Sequence, residues 1–330
     1  RKESSAASDV YKRQVEREYY KPFNYPWAFE HYKTQQHMHW LPDEVNLADD
    51  LRDYRDRLTP ENKKLISQIF RFFTQADVDV CCGYAKHYLP TFKQPEVRMM
   101  LSAFAAMEAV HQEAYSLLLE TLGFGDEEYQ KFFEHKEMLA KHEHLNNFGM
   151  ETPMDIAKTM AIYSAFTEGV QLFSSFAILL NFPRHNLMKG MGQIVTWSVR
   201  DETLHVEGMC QLFRTFIKEN PDLWTDDLKY EIYCAAERTV ELEDAFIDLC
   251  FQNAEVPDLT PEEIKEYIRY IADRRLLGLG MKKIFGSENN PLPWLDYMLN
   301  GVEHTNFFEN RATEYSCLLY TSPSPRDGLL

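Results

Sequence analysis

The sequence predicts an all-α fold, a bundle of long helices with a cluster of charged side chains in its core. Three observations carry this. Apolar residues recur at helical spacing along most of the chain, in segments bounded by Pro, Gly and N-cap residues. The two-residue alternation of a half-buried strand is almost missing. Several periodic segments exceed the roughly 10–14 residues of an ordinary globular helix, as expected of long helices packed side by side.

The elements follow in order. Residues 15–58 read as an irregular, aromatic-rich arm containing "NYPWAFEHYKTQQHMHW". A first long helix begins at Thr59-Pro60-Glu61, with Thr as N-cap and Pro in the first turn, and is expected to run until Pro90 stops it. A second starts at Pro95 and ends at Gly123, and 126–148 reads as a charged surface helix. A fourth opens with Thr152-Pro153-Met154-Asp155 and closes before Pro183. A fifth spans 187–219, a sixth 225–252, and a seventh starts at Thr260-Pro261-Glu262-Glu263. No tandem repeat, low-complexity tract or linker interrupts the body, so 15–316 reads as one helical domain.

Composition narrows the function. The 330 residues carry a formal net charge of −17, with no basic stripe interleaved with aromatics, which argues against nucleic acid as a partner. No apolar run is read as reaching the roughly 18 residues of a membrane span, and no basic-then-apolar leader opens the sequence. The six cysteines form no CxxC pair and no regular framework, as expected of free thiols in a reducing cytoplasm. Both ends look foreign. "SSAASDVYKRQ" and "CLLYTSPSPRD" resemble translated sequencing-library adapters, so 1–14 and 317–330 are expected to be adapter-derived, the second replacing the native C-terminus.

The chemistry lies in "AAMEAVHQEAY", residues 105–115. On a helix, Glu108, His111 and Tyr115 stand at i, i+3 and i+7 and project in one stripe with Leu101 and Phe104. An ionised carboxylate in such company costs several kcal/mol unless it is paired or bound to a metal. A second Glu-x-x-His occurs in "SVRDETLHVEG", as Glu202 and His205. Each motif has an acid on the preceding long helix: Asp77, 31 residues before Glu108, and Glu168, 34 residues before Glu202. One carboxylate from each of two helices and Glu-x-x-His from each of two others is the ligand pattern of dimetal bundles. Four carboxylates balance two divalent cations, so the full set can be buried where a subset could not. Carboxylates with one imidazole per metal suit iron or manganese. Without cations, burial and mutual repulsion should raise several of the carboxylate pKa values.

Ordinary roles compete for these residues singly. Asp79 rivals Asp77, but Asp77 shares its helix face with Phe70, Phe73, Cys81 and Tyr84, whereas Asp79 lies with Gln75, Ala76, Gly83 and Lys86. Glu168 alone would read as a solvent-facing acid and His111 alone as a hydrogen-bonded core histidine. "HMH" (37–39) and "HEH" (142–144) lack matched partners and are not expected to bind metal.

Through "FFTQAD", "MEAVHQEAY" and "RDETLH" the chain resembles the small, radical-carrying subunit of class I ribonucleotide reductase, over roughly 16–315. The resemblance implies a ferritin-like bundle with Asp77, Glu108, His111, Glu168, Glu202 and His205 as metal ligands, and Tyr115 as the phenol oxidised to a stable radical. Tyr115 lies four residues after His111, the spacing of iron-dependent members, so two iron ions are implied, with manganese as the alternative. The corresponding position in the second motif is Met209, so one half of the quasi-repeat carries the phenol. "WLPDEV" resembles the family segment whose Trp sits beside the site, giving Trp40, and Asp201 matches the carboxylate that links this Trp to His111. The implied reaction reduces oxygen with two electrons from the metals, one from Tyr115 and one from an external donor through Trp40. The radical then passes to a large subunit that reduces ribonucleoside diphosphates, the small subunit acting as a homodimer. Docking and the last relay tyrosine belong to a flexible tail in that family, so a chain whose genuine residues stop near Ser316 is expected to assemble its cofactor without supporting turnover. Rival readings are a ferritin-like metal-storage protein, which needs neither Trp40 nor Asp201, a di-iron monooxygenase or oxidase, which has no use for Tyr115 at this position, and a helical scaffold without activity.

Overall fold

Helix-starting signals in the sequence become helix starts in the structure, a computed structural model that describes residues 19–145, 149–252 and 254–299. The foreign-looking ends, 1–14 and 317–330, and the tail near Ser316 lie outside the described residues. The chain divides into two compact units, one up to Pro291 and one from Leu292 on. Of the second, 292–299 are described, with a helical segment from 293.

The first unit is all-α among the described residues, with one isolated bridge between Val256 and Leu259. In chain order it holds α1 (Pro26–Met38), α2 (Ala48–Asp56), α3 (Pro60–Gly83), α4 (Pro95–Leu122), α5 (Glu127–Gln130), α6 (Lys136–Leu145), α7 (Pro153–Ile162), α8 (Phe173–Arg184), α9 (Lys189–Glu219), α10 (Asp226–Phe251) and α11 (Pro261–Gly278). Thr59, Thr152, Thr225 and Thr260 cap four of these, each side chain accepting from a backbone N–H two or three residues into the helix. Gly123, at φ 92°, closes α4 in the left-handed conformation that glycine adopts without cost. At Thr260 the box is reciprocal, because Glu263 returns its carboxylate to the Thr260 N–H at 2.9 Å. Thr260→Ala should therefore cost about 1 kcal/mol, read as a lower urea midpoint with an unchanged slope.

Five expectations need correction. The arm is not irregular: α1, a 3₁₀ turn at Pro42–Glu44 and α2 occupy most of it. Its helical period is obscured because α1 turns a polar residue inward, Gln35, which is fully buried. The first long helix passes Pro90 and ends at Thr91, by way of a π-helical turn at Tyr84–Tyr88. The segment 126–148 is broken into α5, a 3₁₀ turn at Lys131–Glu134 and α6, and it is not wholly a surface element, since Lys141 is buried. Finally, Pro153–Arg184 is long and apolar enough to cross a membrane, but its apolar window lies entirely inside the bundle. This stretch is apolar all round because it packs on every side. A second π turn, Tyr163–Glu168, interrupts it, and Pro183 falls inside its last turn instead of beyond it.

The arm also anchors the helix that carries the second motif. Helix α9 has no cap of its own, and Met188 before it sits at φ 52°. Asp50 of α2 supplies the acceptors, taking the N–H groups of Gly190 at 2.9 Å and Met191 at 2.8 Å, while Asp53 takes that of Met188 at 3.0 Å. A side chain at 190 would collide with Asp50, so glycine is required by the close approach. The five cysteines among the described residues are free.

Candidate metal centre

Helices α3, α4 and α9 and the π turn Tyr163–Glu168 converge on one point of the core. Asp77 comes from α3, Glu108 and His111 from α4, Glu168 from the π turn, Glu202 and His205 from α9. All six are buried. Ligand atoms of Asp77, Glu108 and His111 lie within 4.8 Å of one another, and so do those of Glu108, Glu202 and His205. Glu108 belongs to both groups and stands between the two imidazoles. His205 Nδ1 is 2.9 Å from Glu108 Oε1, 3.8 Å from Glu202 Oε2 and 4.0 Å from Glu168 Oε2. His111 Nδ1 is 3.5 Å from Glu108 Oε2 and 3.4 Å from Glu202 Oε1. The rival Asp79 is turned away, accepting from His142 at 2.5 Å and Gln75 at 3.2 Å. His37 and His39 stand exposed on the arm.

Each histidine directs Nδ1 inward and holds Nε2 against a polar side chain of an outer layer. His111 Nε2 is 3.2 Å from Asp201 Oδ2, and His205 Nε2 is 3.1 Å from Gln35 Oε1. With Nε2 turned outward in both, Nδ1 is the nitrogen that faces the cluster. Trp40 Nε1 donates to Asp201 Oδ2 at 2.7 Å, and its indole stacks on His111 with centroids 5.9 Å apart. Gln35 closes the layer by donating to Asp201 Oδ1 at 3.0 Å. Two members of this arrangement escape the sequence reading. Gln35 stands in a stretch with no clear period. Tyr84, buried in the first π turn, donates to Glu168 Oε2 at 2.9 Å and places a second phenol at the cluster. Its position seven residues after Asp77 repeats the Glu108–Tyr115 spacing, which is the signal that could have found it.

Tyr115 is buried against Phe73, stacked at 4.8 Å, and Phe70 at 5.7 Å, with His111 at 6.5 Å. Burial holds its phenol well above the ordinary tyrosine range, and the nearby Asp77 charge pushes it the same way.

The electrostatics are those of a site short of positive charge. Burial raises Asp77 well above the usual carboxylate range, and the Glu108 charge adds to this. Burial does the same to Glu168, reinforced by Glu202 and Glu108, and it raises Glu202 less far, reinforced by Glu108. Glu108 departs from the expected direction. Burial pushes it up, but the imidazoles of His111 and His205 together pull it below the ordinary range. Burial likewise opposes the charged form of His111, and Asp201, Glu108 and Glu202 more than reverse it. Protons gather where cationic charge is wanted. The donor set fits metal ions. Asp77 Oδ2, both oxygens of Glu108, Glu168 Oε1, Glu202 Oε2 and His205 Nδ1 are buried without a hydrogen-bond partner, a costly condition that coordination relieves.

Residues 17–291 match the family model described as "Ribonucleotide reductase, small chain". A relative from Invertebrate iridescent virus 3, named as a "Probable ribonucleoside-diphosphate reductase small subunit", is 45% identical over 94% of this chain and 87% of its own length. The ribonucleoside-diphosphate reductase subunit beta of Chlamydia pneumoniae is 31% identical over 89% of this chain and 88% of its own. Among solved structures, the ribonucleotide reductase R2 subunit from Clostridium botulinum superposes with a TM-score of 0.78 at 22% identity, covering 84% of this chain and 89% of that one. The dimanganese(II)-NrdF of Streptococcus sanguinis superposes with a TM-score of 0.69 at 21% identity, over 83% and 96%.

Proposed function

The chain belongs to the ribonucleotide reductase small-chain family, and from that premise we propose that its six buried ligand-type residues hold two iron ions, with manganese as the alternative, and that Tyr115 carries the radical on which reduction depends. As a ribonucleoside-diphosphate reductase small subunit it is an oxidoreductase component, with a large subunit as its family partner. The rival readings of metal storage and monooxygenation are not favoured by these relatives.

The observation that carries the metal assignment is the set of unpartnered carboxylate oxygens facing one another between two inward imidazole nitrogens. Asp77, Glu108 and His111 would hold one ion and Glu168, Glu202 and His205 the other, Glu108 being the residue common to both groups of ligand atoms. Two redox-active ions held there would supply the oxidising power, drawn from oxygen, that removes one electron from a phenol. The protein's own contributions are exclusion and positioning. Phe70 and Phe73 keep water from the Tyr115 ring. Because burial keeps the phenol protonated, its oxidation must release a proton from Oη together with the electron, and among the carboxylates the Asp77 charge acts on that hydroxyl most strongly, ahead of Glu202. Asp201 holds His111 in one tautomer and ties it to Trp40, the route by which an external donor would deliver one electron. We place the chain in the cytoplasm, as a homodimer.

Anaerobic ferrous titration tests the assignment. The native chain should bind two ions and Glu108→Gln should retain less than one, because the shared carboxylate is lost to both. Glu168→Ala should weaken binding of one ion selectively. Undiminished binding by Glu108→Gln would refute the ligand set.

A further inference from the structure

Trp40 is buried, 2% exposed, so no soluble reductant can touch the indole through which the activating electron is proposed to enter. A second indole lies against it. Trp197 packs on Trp40 with ring centroids 5.2 Å apart and planes inclined at 44°. It stands one turn before Asp201 on α9, so Trp197 and Asp201 hold Trp40 from the same helix face. Unlike Trp40, Trp197 is partly exposed. From Trp197 to Trp40 to His111 the rings form an unbroken series of contacts between the surface and the metal centre.

We infer that Trp197 is the surface port for the electron that reduces oxidised Trp40. The inference rests on the role given to Trp40 above. The step is a one-electron transfer. A soluble one-electron reductant of ascorbate type is oxidised, Trp197 passes the electron on, and the one-electron-oxidised Trp40 returns to its neutral indole. No proton moves, since Trp40 Nε1–H stays on Asp201. The two indoles are not equivalent. The Asp201 carboxylate, 2.7 Å from Trp40 Nε1, stabilises positive charge on that ring, whereas Trp197 Nε1 is buried without an acceptor. Oxidising charge therefore rests on Trp40, and Trp197 is harder to oxidise. An electron taken from Trp197 is returned to it unless a donor refills the ring first. The port conducts when a reductant is docked and otherwise keeps the oxidising equivalent inside.

Two measurements test this, one without metal. In the metal-free chain, photo-oxidised ruthenium tris-bipyridine, with a cobalt(III) ammine as electron acceptor, withdraws electrons at the surface, and peptide mapping then reads oxidation of Trp40 against that of the partly exposed Trp224. Trp197→Phe should lower Trp40 oxidation roughly tenfold, a barrier change of about 1.4 kcal/mol, and Trp197→Tyr, which keeps an oxidisable ring, should restore much of it. Equal Trp40 oxidation in the native chain and Trp197→Phe overturns the proposal. In the ferrous-loaded chain mixed with oxygen, decay of the indole radical should quicken with ascorbate concentration. Trp197→Phe should flatten that dependence while iron stoichiometry holds, and an unaltered slope again overturns the proposal. If Trp40→Phe leaves the Tyr115 radical yield unchanged, the role of Trp40 itself fails, a result distinguishable from either outcome at Trp197.

Discussion

Tyr115→Phe retains metal binding and oxygen consumption but loses the organic radical. Phenylalanine preserves the ring that stacks on Phe73 and packs on Phe70, so the apolar wall stays filled and no cavity opens. What disappears is the hydroxyl, the one group on that ring that can give up an electron and a proton at an accessible potential. Electron paramagnetic resonance after anaerobic ferrous loading and oxygen exposure is the measurement. An unchanged tyrosyl signal in Tyr115→Phe would sink the assignment. A signal of different hyperfine pattern would locate the radical on Tyr84, whose hydroxyl already donates to Glu168. Adding Tyr84→Phe should then remove it.

How far the sequence reaches is visible in which residues it places. Glu108, His111, Glu202 and His205 are legible because each pair sits on an uninterrupted α-helix, where a three-residue spacing fixes a common face. Asp77 separates from Asp79 by the same logic, and the structure puts Asp79 against His142. Trp40 and Asp201 are reached only through resemblance, because the contact between them spans 161 residues and no local period encodes it. Tyr84, which the sequence reading misses, and Glu168, which it reaches only by matching its place before Glu202 to that of Asp77 before Glu108, both lie in π turns, where the 3.6-residue register is broken. That two such turns meet at the cluster, joined by the Tyr84–Glu168 hydrogen bond, suits the tendency of π segments to mark functional sites. Lys141 is the plainest misreading. It stands in "KEMLAKHEHL", a composition that reads as solvated, and only its tertiary neighbours make it core.

Those neighbours carry the largest stability effect expected in the fold. Lys141 Nζ is 2.5 Å from Glu243 Oε1, donates to the Gln171 carbonyl at 2.9 Å, and lies 3.7 Å and 4.1 Å from the ring centroids of Phe72 and Phe246. Ser174 satisfies the other Glu243 oxygen at 2.5 Å. The pair thus ties α6 to α10 and α8 through fully buried charges. Burial pushes Glu243 up and Lys141 down, and each partner's charge opposes the shift of the other. Lys141→Met removes the compensating charge while keeping the volume, and should cost about 3–5 kcal/mol in urea unfolding. Replacing both, Lys141→Met with Glu243→Met, should recover most of that, because two apolar side chains carry no desolvation penalty. The pH dependence identifies the cause. In Lys141→Met the Glu243 pKa rises further above its unfolded value, so the folded state holds a proton that the unfolded state has released. Stability is then greatest below about pH 4.3, the unfolded glutamate value, and falls as pH rises toward the folded pKa. The native chain shares the other acidic groups, so the difference in urea midpoint between native and Lys141→Met should widen from pH 4 toward neutrality, as approximate bounds. A difference constant with pH would mean that the variant loses packing against Phe72 and Phe246 and not a charge partner.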